Sequence, residues 1–311
     1  MRLKRDQSLR GRPAICSAPP AVPIVEQNGK IVEMISRIAV SEQESSDGEL
    51  APRRARKADK LFRERGALWI ENVFSQGMVN RLRRSYQKRY IDQGASELAR
   101  QHAVVGDRRF MATVTLEPPF NSPRLFANSL LTPLFESWLG PGYLISSFGS
   151  VVAFPGAAAQ EIHFDFPPLF ESEEVCCQLP PYAITLVIPL VDLDREIGST
   201  AWWEGSHRDE QARNKLQALV AGSDPLGSSD AVFPTARAGD VYLMDYRLIH
   251  GGMANQGSLA RPILYIVYGR PWFRDAFNFS DQPAVDISPQ RRRALSPKYR
   301  QLFAATVGHP R

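Results

Sequence analysis

Apolar residues recur at helical spacing along the first part of the chain. Over residues 76–94 they appear every three or four positions opposite a basic face, which predicts an amphipathic helix with Ser75 as its N-cap. Residues 56–66 predict another helix, ended by its glycine, residues 67–74 predict a strand, and residues 130–140 predict a shorter helix. The apolar face of the longest helix comprises Val79, Leu82, Tyr86 and Tyr90.

The pattern changes at residue 143, where short apolar stretches begin to alternate with turn residues. The predicted strands are residues 143–154, 161–166, 182–193, 200–205, 240–246 and 262–270. One helix, residues 208–222, interrupts the series, but strands and helices do not alternate as in a parallel α/β fold. The pattern predicts a mainly β fold with flanking α-helices, built on a double-stranded β-helix (a cupin-like jelly roll).

The two ends of the chain are expected to lie outside this fold. Residues 1–52 are rich in Pro, Ser, Glu and Arg, which is typical of a disordered N-terminal tail, and residues 41–52 within it resemble a linker. Residues 53–290 are predicted to form one domain with its jelly-roll core at about 143–275. Residues 291–311 are predicted to form a C-terminal helix or tail.

Composition narrows the class of protein. The 311 residues are 43% hydrophobic, which is enough for a sizeable core, yet contain no apolar run long enough to span a membrane. Three cysteines, two of them adjacent, do not make a disulfide framework, so a reducing cytoplasm is the expected location. The net charge of +5 lies largely in short basic runs that are typical of solvated helix faces, so neither nucleic acid nor membrane is an expected partner.

Residue types that can bind a metal ion or an anion occur at a few positions within the apolar strands. His163 and Asp165 interrupt an apolar stretch with one residue between them, so on a strand both would point to the same face. His250 follows another apolar strand and precedes two glycines. Arg261 begins a strongly apolar strand, where a guanidinium must reach solvent or meet an anion.

Two imidazoles and one carboxylate in this order match the facial triad of non-haem Fe(II) oxygenases. Three protein ligands would occupy one face of an octahedron and leave the opposite face open for a chelating co-substrate and O2. A buried arginine can bind a carboxylate through two parallel hydrogen bonds. This combination predicts an iron site at His163, Asp165 and His250, with 2-oxoglutarate and O2 as co-substrates.

The sequence resembles the phytanoyl-CoA dioxygenase family of Fe(II)/2-oxoglutarate-dependent oxygenases over roughly residues 60–275. Five segments carry the resemblance in the family's chain order: RERGALWIENVFS, QEIHFDF, PLVDLDREIGSTAWWEGSH, AGDVYLMDYRLIHGG and NQGSLARPILYIVY. The second matches the family's Gln-x-x-His-x-Asp motif, and the last two match the strands that carry its distal histidine and its arginine. In the third segment, Ile197–Thr200 replaces the family's Asn-Gly-Pro-Thr, and Glu204 replaces a proline.

The resemblance implies a role for each matching residue. It implies His163, Asp165 and His250 as the iron ligands and catalytic centre, and Arg261 as the partner of the distal carboxylate of 2-oxoglutarate. The residues implied as further co-substrate contacts are Gln160 and Thr200.

The expected activity is oxidation, most simply hydroxylation, of an unactivated C–H bond of a small molecule such as a secondary metabolite or an acyl thioester. Family members with a small residue in place of the aspartate have room for a halide, so Asp165 favours hydroxylation over halogenation. Two alternatives remain open from sequence: a cupin-like metalloenzyme that does not use 2-oxoglutarate, and a catalytically inactive binding protein on the same fold.

For three other features the sequence predicts a position or a structural role. His207 is expected to be a hydrogen-bonding residue of a turn. Strand alternation predicts that only one ring of the pair Trp202–Trp203 faces the core. The aromatic residues 271–279, which follow the last strand, are expected at the mouth of the active site.

Overall fold

The structure is a computed structural model that describes residues 24–27, 30–33, 36–222, 230–279 and 282–306. The chain divides into two units, Met1–Met34 and Ile35–Arg311. In the first unit, strands β1 (Ile24–Gln27) and β2 (Lys30–Glu33) pair antiparallel. Cys16 lies outside the described residues, as do the last five residues of the predicted C-terminal segment.

The larger unit contains most of the strands and all of the described helices. Its strands are β3 (Arg37–Ala39), β4 (Ala67–Glu71), β5 (Ala103–Val104), β6 (Arg109–Thr113), β7 (Leu144–Ala153), β8 (Ala183–Pro189), β9 (Thr200–Trp203), β10 (Ala231–Val232), β11 (Val241–Asp245), β12 (His250–Gly252) and β13 (Arg261–Gly269). Its helices are α1 (Glu42–Asp47), α2 (Pro52–Arg65), α3 (Gln76–Arg89), α4 (Ala95–Gln101), α5 (Pro123–Phe126), α6 (Thr132–Leu139), α7 (Glu173–Gln178), α8 (Ala212–Ala221), α9 (Pro289–Ala294) and α10 (Pro297–Leu302).

Two β-sheets form the core. The larger has the strand order β3-β4-β11-β8-β13-β7-β6-β5, in which only β3 and β4 run parallel. The smaller has the order β10-β9-β12 and is antiparallel. Residues of both sheets line one cavity, so the sheets face each other across it. This architecture confirms the predicted mainly β, jelly-roll fold with flanking helices.

The central strands of the larger sheet are buried on both faces. On β7, Ile145 and Val152 pack under the helices, whereas Ser147 and Val151 line the cavity between the sheets. Every residue of β13 is buried, which explains why this strand shows an unbroken apolar run instead of an alternating pattern.

Stacked aromatic rings pack the helices against each other and against the larger sheet. Phe62 of α2 stacks on Trp138 of α6 with 4.1 Å between ring centroids, and Phe135 of α6 stacks on Tyr268 of β13 at 4.2 Å. The predicted face of α3 is buried, and the Ser75 hydroxyl accepts a hydrogen bond from a backbone N–H of its first turn. Near the C-terminus, Phe303 follows α10 and packs against Phe126.

The folded unit begins before the predicted boundary at residue 53. Strand β3 joins the sheet, and α1 lies within the predicted linker. Ser41 and Glu44 form a capping box at the start of α1, with 2.9 Å from the Ser41 backbone nitrogen to the Glu44 carboxylate. Glu44 is buried and also accepts a hydrogen bond from the Ala51 backbone. Residues 36–52 therefore belong to the fold and correct the prediction of a disordered tail.

Glu204, which departs from the family pattern, connects this N-terminal segment to the smaller sheet. Its carboxylate accepts a hydrogen bond from the Ser36 backbone at 3.0 Å and from Arg65 at 2.5 Å. A proline at this position would have no group to accept these hydrogen bonds.

Two sequence predictions about strands are wrong. Residues 161–166 do not form a strand, because only His163 of this segment makes a β-bridge, to His250. Trp202 and Trp203 are both fully buried, because β9 is covered on both sides. Trp202 meets Tyr242 of the larger sheet, whereas Trp203 lies in a separate cluster that includes residues of α8.

Replacing Gly66 with alanine is expected to destabilise the fold. Gly66 ends α2 with φ +75°, and a Cβ there would lie 2.5 Å from Nδ1 of the buried His207. The clash and the left-handed backbone together predict a loss of about 1–3 kcal/mol in the free energy of unfolding, measured by denaturant titration.

Gly77→Ala is the matched control, because Gly77 lies inside α3 and a Cβ there would make only an ordinary contact, 3.7 Å from Nη1 of Arg81. The control is expected to keep or raise stability, by up to about 1 kcal/mol. Equal stability of the two variants would contradict the proposed packing of Gly66 against His207.

Candidate metal and co-substrate site

The three predicted metal ligands converge at one place between the sheets. His163 and His250 exchange two backbone hydrogen bonds, of 2.9 and 3.0 Å, which set their side chains beside each other with 4.5 Å between ring centroids. Nε2 of His250 lies 3.4 Å from Oδ1 of Asp165. One ligand atom from each of the three residues lies within 4.8 Å of the others, so the group could hold a single metal ion.

Hydrogen bonds fix how these side chains face the site. Nδ1 of His163 lies 2.7 Å from the Glu161 carbonyl, and Nδ1 of His250 lies 3.0 Å from the Leu248 carbonyl. A carbonyl can only accept, so each Nδ1 carries the hydrogen and each Nε2 has a lone pair available for a metal. The Thr185 hydroxyl donates to Oδ2 of Asp165 at 2.8 Å.

Electrostatics at the site favour a cation. A neutral His250 would direct a lone pair at the Asp165 carboxylate, and a proton or a metal ion between them removes that repulsion. Burial opposes charge on His250, but Asp165 outweighs it and raises the pKa of this imidazole. Burial would raise the pKa of Asp165, yet the two histidines and Thr185 lower it, and burial lowers the pKa of His163. Two nitrogens and one carboxylate oxygen suit ferrous iron.

Metal affinity is expected to depend on pH, because a metal competes with the proton on His250. The pKa of His250 lies above 6.5, so below that raised pKa the metal must displace a proton. We expect the apparent affinity for Co(II) to rise as the pH increases through the range in which His250 loses its proton, and to level off above that range. Calorimetric titration in two buffers of different ionisation enthalpy would count the released protons. An affinity that stays constant over this range would argue against a metal ligand at His250.

Two buried arginines flank the end of β7. Arg261, at the start of β13, and Arg109, at the start of β6, both pair with Ala153, one on each side. Arg261 donates through Nη1 to the backbone carbonyls of residues 198 and 199 at 3.0 and 3.3 Å. Arg109 donates through Nη2 to the carbonyls of residues 158 and 253. Sequence reasoning identified Arg261 and missed Arg109, although both begin an apolar strand.

These arginines are arranged to receive an anion. Nε of Arg261, and Nε and Nη1 of Arg109, have no hydrogen-bond partner within the described part of the chain. Burial lowers the pKa of Arg109 to about 10; burial and the charge of Arg109 lower that of Arg261 to about 9. Buried guanidinium groups with unused N–H donors need an anionic partner. A carboxylate of 2-oxoglutarate fits this requirement.

One cavity of about 210 Å³ connects the metal site with Arg261. Gln160 and Thr200, implied by the resemblance, also line it, and so do Asn278 and Phe279 of the predicted mouth segment. The Asn278 side chain donates to the Asp165 carbonyl at 2.8 Å and so attaches this segment to the site.

An open groove of about 660 Å³ meets the site on another side. Gln160 and His163 line both the groove and the cavity, and Leu216 and Val220 of α8 form part of the groove wall. The groove and the cavity therefore lie on either side of shared wall residues that include the metal-site residue His163.

His207 does not line the cavity of about 210 Å³ that contains the metal site. Its Nε2 lies 3.2 Å from the Arg63 carbonyl, and the ring is buried against Gly66. This contact fits the structural role expected from sequence.

The fold is similar to those of solved 2-oxoglutarate-dependent enzymes. HygX from Streptomyces hygroscopicus, with nickel and 2-oxoglutarate bound, is 18% identical over 76% of this chain and 95% of its own, with a TM-score of 0.53. The epimerase SnoN of nogalamycin biosynthesis is 18% identical over 75% of this chain and 88% of its own, with a TM-score of 0.52. The carbocyclase SnoK of the same biosynthesis is 21% identical over 71% of this chain and 84% of its own, with a TM-score of 0.52.

The family comparison agrees with the resemblance drawn from the motifs. The family model described as phytanoyl-CoA dioxygenase matches residues 62–263, which is more than half of the chain and includes the triad and both buried arginines. No helix among the described residues has the length and apolar character needed to cross a membrane. The chain therefore belongs to the phytanoyl-CoA dioxygenase family, whose members are non-haem iron oxidoreductases that use 2-oxoglutarate and O2.

Proposed function

We propose that this protein hydroxylates an unactivated C–H bond of a small molecule with Fe(II), 2-oxoglutarate and O2. One observation carries the proposal: a cavity joins a compact His163–Asp165–His250 group to a buried arginine that has no anionic partner among the described residues. Bound iron and 2-oxoglutarate would supply the activation of O2, which protein side chains cannot provide.

The protein's contribution at the metal is orientation. His163 and His250 would bind through Nε2, because each Nδ1–H is already used by a backbone carbonyl. Asp165 would bind through Oδ1, since the Thr185 hydroxyl holds Oδ2. All three residues line the cavity, so a metal held by them would be accessible to a co-substrate that enters the cavity.

The protein's contribution at the co-substrate is charge complementarity. Arg261 would bind the distal carboxylate of 2-oxoglutarate, with Arg109 close enough to add a second positive charge. Gln160 and Thr200 would add neutral hydrogen bonds from the cavity wall. Apolar side chains fill much of the remaining wall, and they would keep water away from the reacting centre.

The substrate is proposed to be a secondary metabolite or an acyl thioester. Support comes from proteins of similar fold: HygX has been solved with hygromycin B bound, and SnoN and SnoK act in nogalamycin biosynthesis. SnoN is an epimerase and SnoK a carbocyclase, so hydroxylation is proposed here because Asp165 completes the triad and hydroxylation is the simplest outcome. A cytoplasmic location remains the prediction from cysteine content.

An assay of coupled turnover tests the proposal. Purified protein with Fe(II), 2-oxoglutarate and O2 is screened against glycosides, polyketides and acyl thioesters, and succinate and product mass are measured. A product heavier by one oxygen atom, with succinate formed in equal amount, would support hydroxylation. A substrate consumed without succinate would favour the cupin-like alternative, and a product without added oxygen would favour desaturation, cyclisation or epimerisation.

A further inference from the structure

Two hydroxyl groups on the cavity face of the larger sheet have no hydrogen-bond partner among the described residues. Ser147 of β7 is fully buried, and Tyr265 of β13 is only 8% exposed. Both residues line the cavity that contains the triad. Neither Oγ of Ser147 nor Oη of Tyr265 has a hydrogen-bond partner within the described part of the chain. Buried hydroxyls in proteins are nearly always paired, so these two require a partner from a molecule that enters the cavity.

The fold makes specific room for the Tyr265 ring. Tyr265 pairs in register with Gly149 of β7, and a Cβ on Gly149 would lie 2.4 Å from the Tyr265 hydroxyl. The absent side chain therefore lets the ring lie across the neighbouring strand with its hydroxyl over that strand. A phenylalanine would fill the same space, so packing alone does not explain the hydroxyl.

Among the described residues that line the cavity, charged side chains occur only at the metal site and at its arginine. The charged or ionisable groups that line the cavity, apart from phenols, are His163, Asp165, His250 and Arg261, and the proposed function assigns all four to iron and 2-oxoglutarate. Neighbouring lining residues are apolar, including Met111, Val151, Val267 and Phe279. Two carboxylates lie nearby, but the proposed function assigns Asp165 to the metal, and Asp275 accepts a hydrogen bond from the Tyr246 hydroxyl. A charged substrate group placed here would therefore lose its water shell without gaining a free counter-ion.

We propose that Ser147 and Tyr265 form a recognition site for an uncharged, oxygen-bearing part of the substrate, such as an alicyclic alcohol or ketone. The proposal rests on the proposed function, because it assigns the rest of the cavity to iron and 2-oxoglutarate. It deepens that function by naming the chemistry of the group beside the reacting carbon. An acyl thioester could then enter only with its charged portion outside the cavity.

Stability measurements test whether the Tyr265 hydroxyl is unpaired in the free protein. Tyr265→Phe removes only this hydroxyl, so we expect an unchanged or higher Tm. The matched control is Tyr268→Phe on the same strand, whose hydroxyl donates to the Phe126 carbonyl at 2.8 Å. We expect the control to lose about 1–4 °C. An equal loss in both variants would overturn the proposal, since it would reveal a partner for Tyr265 within the protein.

Binding measurements test the chemistry of the site. The protein is loaded with Ni(II) and 2-oxoglutarate, and saturation-transfer NMR follows cyclohexanol, cyclohexanone, cyclohexanecarboxylate and cyclohexylammonium. We expect only the two uncharged probes to bind well, with affinity about 3- to 10-fold weaker in Tyr265→Phe and Ser147→Ala.

Failure of this inference can be separated from failure of the proposed function. A wild-type protein that does not take up Ni(II) and 2-oxoglutarate would contradict the proposed function. A loaded wild-type protein that binds all four probes equally, binds neither uncharged probe, or is unaffected by both substitutions would overturn this inference alone.

Discussion

Replacing Arg261 with methionine is expected to weaken 2-oxoglutarate binding severely while leaving metal binding in place. The guanidinium is buried, has an unused Nε–H, and carries a positive charge that nothing in its hydrogen bonds neutralises. Removing one partner of a buried, hydrogen-bonded charge pair costs about 2–5 kcal/mol, which corresponds to about 30- to 4000-fold in affinity. Calorimetric titration of the metal-loaded protein with 2-oxoglutarate would measure the loss.

Two controls make this experiment specific. Arg83→Met removes an exposed arginine of α3 and is expected to leave 2-oxoglutarate affinity unchanged. Arg261→Lys retains a charge without the planar fork, so it should recover only part of the affinity. Near-normal 2-oxoglutarate binding by the methionine variant would remove the main support for this co-substrate and favour the cupin-like alternative.

Replacing Asp165 with alanine is expected to abolish detectable turnover by weakening metal binding. The substitution removes the carboxylate of the candidate site and leaves two imidazoles without an anionic ligand beside them. Substituting a residue that only orients a metal ligand already lowers metal affinity by about 10- to 100-fold, so loss of a ligand should cost more. Equilibrium dialysis with Fe(II) under anaerobic conditions would measure the metal retained.

The control for this substitution is Asp47→Ala in α1, which removes an exposed carboxylate that accepts hydrogen bonds from the side chain of Gln43 in the same helix. Full metal retention is expected in the control. If the Asp165 variant binds Fe(II) as well as the wild type, the metal site lies elsewhere and the assignment of all three ligands is wrong.

The candidate site was largely predictable because its polar and charged residues lie within apolar stretches of the sequence. An imidazole, a carboxylate and an arginine inside apolar stretches need a chemical reason, and their order matched a known metal geometry. The arrangement that brings them together was not predictable in the same way. Asp165 reaches the site from an irregular segment held by Thr185 and Asn278, instead of from the strand that the alternating pattern indicated.

Arg109 shows a limit of motif-based prediction. It begins an apolar strand as Arg261 does, but it belongs to no motif, and 152 residues separate the two in sequence. Only the sheet order places β6 and β13 on either side of β7. The physical signal, a guanidinium at the start of a buried strand, was present at both positions.

Of the two remaining differences, one had a local signal in the sequence and the other depends on distant packing. Ser41 and Glu44 have the spacing of a capping box, which predicts a helix start inside the stretch interpreted as a linker. The double burial of Trp202 and Trp203 depends on what covers each face of β9, which includes α8 and strand β11. The alternation of side chains along one strand shows only to which face each side chain points. It cannot predict which distant elements pack against each face.

The most direct test of the account is an anaerobic titration of purified protein with Fe(II) and 2-oxoglutarate. If Fe(II) and 2-oxoglutarate bind together at the triad, a weak visible metal-to-ligand charge-transfer band should appear. The band should be absent in Asp165→Ala and in Arg261→Met. Succinate should form when O2 is admitted to the wild-type protein. Folded protein that retains iron but shows neither the band nor succinate would contradict the assignment of this protein as a 2-oxoglutarate-dependent oxygenase.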